Sequence, residues 1–60
     1  MYTVKYETVD MNKAVVAVKR VEFSEAVSVF NSLCVDGSGR WVIMFDEQTK
    51  QQVPGYNWRD

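Results

Sequence analysis

The sequence predicts a small α+β domain, a two-layer β-β-α-β-β fold in which one helix packs on one face of a mixed four-stranded sheet. The chain of 60 residues is long enough for a single domain, residues 1–60. Two β-type segments precede a stretch with helical periodicity, and two more follow it. Because one helix joins the second and third strands, these strands should run parallel with a right-handed crossover.

The first two predicted strands form a hairpin. Residues 2–9, Y-T-V-K-Y-E-T-V, alternate between apolar and polar side chains, which is typical of a half-buried strand. Residues 10–13, D-M-N-K, are turn formers, and residues 14–23 resume with many β-branched side chains. The register of this hairpin depends on the length of its loop.

A helix is predicted after the hairpin. Ser24 suits the N-cap, and Glu25 suits the positive end of the helix dipole. Gly37 and Gly39 should end the helix. The apolar face combines side chains spaced three and four residues apart: Ala26, Val29, Phe30 and Leu33, widened by Val27 and Cys34.

Two further strands are predicted in the last third of the chain. Residues 40–46, R-W-V-I-M-F-D, form the third strand, and residues 46–50 form a surface turn. Residues 49–53 return as a short fourth strand that Pro54 and Gly55 end. Residues 54–60 are then a C-terminal tail that contains two aromatic side chains.

The predicted sheet has more apolar surface than one helix can cover. Residues 14–18 and 41–45 are apolar on both faces, which is typical of central strands covered on both sides. The helix covers only one side, and a large bare apolar patch is rare on a monomer. Either the aromatic tail or another molecule should cover the second face, and we expect another molecule.

The composition argues against an enzyme or a metalloprotein. The chain has one cysteine and no histidine, so a disulfide, a Cys–His nucleophile pair and a tetrahedral zinc site are all excluded within it. The glycines near residue 37 follow a helix, unlike those of phosphate-binding loops, and no cofactor motif occurs. Cys34 is expected to be a small buried apolar residue. A single free thiol and the absence of a signal or membrane segment predict a cytoplasmic protein.

These observations predict a non-enzymatic protein-interaction module that binds a larger protein or forms a homodimer. Charged residues such as Lys5, Glu7 and Arg20 would form a polar rim. Short proteins of this kind are typical of bacterial and bacteriophage accessory proteins that bind and inhibit or redirect a host enzyme, which is an analogy of size and composition. The predicted interface comprises an apolar centre of Trp41, Val42, Met44, Val16 and Val18 and an anchoring edge of Tyr56, Trp58 and Arg59.

A single-stranded nucleic-acid-binding protein is the alternative. Sheet aromatics could stack on bases while scattered cations contact phosphates. Against this alternative, the net charge is −1 and the RNA-recognition signature is absent. The candidate residues for this function are Lys5, Tyr6, Lys19, Arg20 and Arg40.

Overall fold

The fold is given by a computed structural model that describes residues 1–8, 14–36 and 39–59. The predicted order β-β-α-β-β is confirmed in a small α+β fold. The elements are β1 (Tyr2–Thr8), β2 (Ala14–Val21), α1 (Phe23–Asp36), β3 (Gly39–Asp46) and β4 (Gln51–Arg59). The predicted hairpin loop, residues 10–13, lies outside the described residues.

The sheet is antiparallel, and the prediction of a mixed sheet is wrong. Its strand order is β2-β1-β3-β4, and each neighbouring pair is antiparallel. β2 and β3 do run in the same direction, as the single connecting helix requires. However, β1 lies between them and pairs with both, so no parallel ladder forms.

β2 is an edge strand, although its continuous apolar run suggested a central one. Its pairing with β1 shifts register between Val16 and Val18 and again between Val18 and Val21. Such bulges break the strict alternation of side chains. Consequently the neighbours Ala17 and Val18 both pack against the core. The apolar run of β2 therefore reflects its bulges and not burial on two faces.

The hydrophobic core lies between α1 and the two central strands. Val4 of β1 and Val42 and Met44 of β3 are completely buried against Ala26 and Phe30 of the helix. The helix face predicted from the spacing is therefore confirmed. The other predicted members of that face are partly buried against the same cluster: Val27, Val29, Leu33 and Cys34.

The helix begins two residues earlier than the sequence suggests. The Ala26 amide donates a hydrogen bond of 2.9 Å to the Glu22 carbonyl, which makes Glu22 the residue that caps the helix, and Ser24 lies within the first turn. Phe23 is held at this end by edge-on contacts with the rings of Tyr2 at 5.1 Å and Tyr56 at 5.8 Å. These ring contacts place Phe23 in the first turn, ahead of the serine that was predicted to cap the helix.

β4 continues through Pro54 and Gly55 instead of ending there. Residues 53–56 lie opposite Met44 alone, so they form a wide bulge in the strand. Gly55 adopts a φ of 85° in this bulge, which a residue without a Cβ tolerates. An edge strand also accepts a proline, because its outward amide needs no partner. Most of the predicted tail is therefore part of the sheet, and Asp60 lies outside the described residues.

Val42→Ala should lower the free energy of unfolding by about 2 kcal/mol, because it removes buried methyl groups and leaves a cavity. Val35 is 89% exposed on α1, so the same substitution there should change stability by less than about 0.5 kcal/mol. Urea titrations of both variants would test this. Equal losses would contradict the packing of β3 against the helix.

Candidate interaction face of the sheet

The side of the sheet opposite α1 is called the open face here. Paired residues of neighbouring strands point to the same side, so the pairing register assigns the side chains. Ile43 is 8% exposed yet does not belong to the cluster under the helix, which places it on the open face. The residues that share this face by register are Thr3, Lys5, Glu7, Ala14, Val16, Trp41, Phe45, Gln52, Asn57 and Arg59.

Three apolar side chains of β3 form a row along the centre of the open face. Trp41, Ile43 and Phe45 alternate with the core residues of the same strand. Trp41 and Phe45 are partly exposed, whereas Ile43 between them is buried. On the outer strand β2, Val16 remains 47% exposed. The open face is therefore apolar along its middle, and most of its apolar side chains belong to β3.

A cation lies over each aromatic ring of this row. The Lys5 ammonium is 5.0 Å from the centroid of the Phe45 ring, and the Arg59 guanidinium is 5.4 Å from the Trp41 ring. Each such contact is worth about 0.5–1 kcal/mol at exposed sites. These contacts hold one positive charge near each end of the apolar row.

Hydrogen bonds between β3 and β4 fix the orientation of Trp41. The indole Nε1 of Trp41 donates to Oδ1 of Asn57 at 2.7 Å. Nδ2 of Asn57 in turn donates to Oε1 of Gln52 at 3.3 Å. Because a polar side chain satisfies the indole and Arg59 lies over the ring, Trp41 is held in a defined position at the surface.

A polar network closes the Phe45 end of the open face. The hydroxyl of Thr3, which is 1% exposed, donates to Oε2 of Glu47 at 2.7 Å and accepts from the Arg20 amide at 3.3 Å. Nζ of Lys50 lies 3.5 Å from the other Glu47 oxygen. A shallow cleft of about 330 Å³ lies here, lined by Met1, Arg20, Glu47, Gln48 and Lys50.

This network lowers the pKa of Glu47. The Thr3 hydrogen bond is the main cause, and the charges of Lys50 and Arg20 act in the same direction. Partial burial of the carboxyl opposes them without reversing the shift. Glu47 therefore remains ionised further into the acidic range than an ordinary glutamate.

The structure brings together only part of the predicted interface. Trp41, Val16 and Arg59 share the open face. Val42 and Met44 are corrected: they are 0% exposed beneath α1 and offer no surface to a partner. Adjacent residues of a strand point to opposite sides, so Trp41 and Val42 cannot belong to one face.

The other predicted interface residues also lie on the helix side. Val18 pairs with Val4, and Trp58 pairs with Val42, so both face the core. The Tyr56 ring contacts the Phe30 ring edge-on at 5.2 Å. The aromatics of the predicted tail therefore complete the helix-side core, and they do not cover the open face.

The predicted nucleic-acid residues are also divided between the two sides. Tyr6 packs against the helix-side core, while its neighbour Lys5 lies on the open face. Lys19 and Arg20 are exposed near the bulges of β2, and Arg20 has a φ of 58°. The side chain of Arg40 lies outside the described residues.

Two residues of the apolar row, Ile43 and Phe45, were absent from the predicted site, as was Asn57. A signal for them exists in β1. Lys5 and Glu7 are the polar positions of an alternating strand, and they pair with Ile43 and Trp41. Residues that pair across two strands point to the same side of the sheet, so the partners of these polar residues lie on the exposed side.

The thiol of the chain lies on the helix side of the sheet, away from this face. Cys34 is partly buried in α1, and burial raises the pKa of its thiol, which disfavours the reactive thiolate. Within residues 1–8, 14–36 and 39–59, no cluster of three metal-ligating side chains occurs. Over the same ranges, no helix has the length and apolarity needed to cross a membrane.

Comparisons with protein-family models, with curated proteins and with solved structures find no match for this chain. The functional conclusion therefore depends on the chemistry of the open face itself.

The pKa of Glu47 makes stability depend on pH in a defined direction. Because folding lowers this pKa, the network stabilises the protein at neutral pH, and this contribution is lost as the pH falls through the lowered value. The stability advantage of the wild type over Glu47→Gln should therefore shrink on acidification. Urea midpoints measured at a series of pH values would test this. Thr3→Ser, which keeps the hydroxyl donor, should retain the pH dependence, and Thr3→Val should weaken it. A difference that grows towards acidic pH would contradict the assignment.

Proposed function

We propose that this chain is a small non-enzymatic protein-interaction module that binds another protein through its open face. The observation that carries the proposal is the row Trp41, Ile43 and Phe45 on the side of the sheet that α1 does not cover. Among the described residues, no element packs over this row.

The make-up of the open face supports protein binding. Tryptophan and arginine are among the residues most enriched in interface hot spots, and here Arg59 lies over the ring of Trp41. Fixed side chains lose little conformational entropy when a partner binds. The hydrogen bond of Trp41 to Asn57 therefore favours binding as well as stability. Gln52 and Asn57 on β4 would form a polar rim beside the apolar row.

A single-stranded nucleic acid is the second candidate, because the open face combines aromatic rings with cations. The geometry favours it less. A base stacking on Trp41 or Phe45 would compete with Arg59 or Lys5, which already lie over those rings. Tyr6, a predicted stacking residue, packs on the opposite side of the sheet.

The more specific roles are part of the same proposal. A phage-type accessory or inhibitor protein that acts on a host protein in the cytoplasm would need only a rigid binding face of this kind. A homodimer through the open face would use the same residues. Each of these roles predicts contact at the open face and not at the exposed side of α1.

Site-specific photo-crosslinking would test the proposal. A photoreactive side chain at Val16, which is 47% exposed on the open face, should crosslink a protein in cells that express the chain. The same group at Ser28, which is exposed on α1, should not. With the crosslinked protein purified, Arg59→Ala should weaken binding by about tenfold or more, as expected for a hot-spot arginine. Ser28→Ala is the matched control.

Several outcomes would contradict the proposed function. Equal crosslinking from Val16 and Ser28 would show that the open face is not selective. An affinity unchanged by Arg59→Ala would remove Arg59 from the interface. Salt-sensitive binding of oligothymidylate that is lost in Lys5→Gln and Arg59→Gln would favour the nucleic-acid function instead.

A further inference from the structure

We infer that the partner of the open face presents an acidic protein surface, with carboxylates on either side of an apolar centre. This inference rests on the proposed function and specifies the chemistry of the partner. It follows from the distribution of charge between the two sides of the sheet.

Counted over the described side chains, the open face is positive although the whole chain has a net charge of −1. Lys5 and Arg59 lie over its apolar row, and Glu7 is the carboxylate found among the described strand positions of this face. At the Phe45 end, the cleft adds Arg20 and Lys50. Its carboxylate, Glu47, is already paired with Lys50.

The helix side has the opposite character. Glu22 and Glu25 are exposed at the start of α1. The helix sequence, F-S-E-A-V-S-V-F-N-S-L-C-V-D, contains neither lysine nor arginine. Among the described side chains, four cations thus lie on or beside the face that also has the exposed aromatic rings, a combination that favours an acidic and partly apolar partner: Lys5, Arg20, Lys50 and Arg59.

The two cations of the apolar row are available to such a partner. Within the described ranges, neither Lys5 nor Arg59 has a carboxylate within ion-pair distance, since the ion pair found there joins Lys50 and Glu47. A cation over a ring retains N–H donors for an incoming carboxylate. Trp41 and Phe45 are four strand positions apart, so the two charges lie near ends of a row about 13 Å long.

The same charges disfavour the other occupants. A second copy would present an identical face, and Lys5 and Arg59 place a positive charge near each end of its apolar row, so like charges would meet across a two-fold interface. A single-stranded nucleic acid would satisfy the cations, but its bases could stack on Trp41 and Phe45 only by displacing Arg59 and Lys5 from those rings. An acidic protein surface supplies carboxylates for the cations and an apolar surface for Val16 and the exposed parts of Trp41 and Phe45.

Three labelled peptides of equal length would test the inference: alternating Leu-Asp, Leu-Asn and Leu-Lys sequences, with oligothymidylate as a fourth probe. We expect the Leu-Asp peptide to bind at least tenfold more tightly than the Leu-Asn peptide, and its affinity to fall with added salt. Lys5→Gln and Arg59→Gln should each remove much of this difference. Arg59→Lys, which keeps the charge, should retain more of it than Arg59→Gln.

Asn31→Asp is the matched control, since it changes the net charge by the same amount on the exposed side of α1. It should leave the affinity for the Leu-Asp peptide unchanged within twofold. Circular dichroism and urea titration would show whether each variant is folded.

Each contrary result would overturn the inference in a distinct way. Equal binding of the Leu-Asp and Leu-Asn peptides would refute the acidic partner while leaving protein binding by the open face intact. Equal weakening by Asn31→Asp would show an effect of net charge only. Tighter binding of oligothymidylate than of the Leu-Asp peptide would refute both the acidic partner and the proposed function.

Discussion

The fold depends on one packing contact, that between α1 and the central strands β1 and β3. Val4, Val42 and Met44 lose all contact with solvent beneath Ala26 and Phe30. A single helix can cover only one side of a four-stranded sheet, so this contact also decides which side remains uncovered. The residues of β3 that alternate with these core positions, notably Trp41 and Ile43, consequently lie on the open face.

Local patterns in the sequence predict the elements well, but long-range pairing determines their arrangement. The spacing of Ala26, Phe30 and their neighbours identified the buried helix face, because that information lies within one element. The place of β2 at an edge depends on β1 pairing with β3, which no local pattern encodes. Its bulges produce an apolar run that resembles that of a central strand. Likewise, Pro54 indicated the end of a strand. The strand continues past it because a bulge accommodates the proline, and a bulge forms only in the pairing with β3, which the local sequence does not show.

The candidate site was predicted in part for the same reason. Trp41 and Arg59 follow from residue type, whereas the side that each residue of β3 faces follows from its contacts with the helix. The side chains on both sides of β3 are apolar, so alternation alone does not show whether Val42 or Ile43 faces the helix. The pairing of Ile43 with Lys5 resolves the ambiguity once the strand order is known. The polar residues of β1 thus identify which side of β3 belongs to the open face.

The irregularities of the two outer strands restrict how copies of this chain can associate. β2 has two register shifts, and β4 has a wide bulge with Pro54 and Gly55. A regular ladder of amides and carbonyls is what recruits another strand to a sheet edge and leads to runaway polymerisation. Neither edge of this sheet offers a long regular ladder of this kind, so the addition of further strands into fibrils is disfavoured. An aromatic surface can then be displayed on the flat side without making the protein prone to edge-to-edge aggregation.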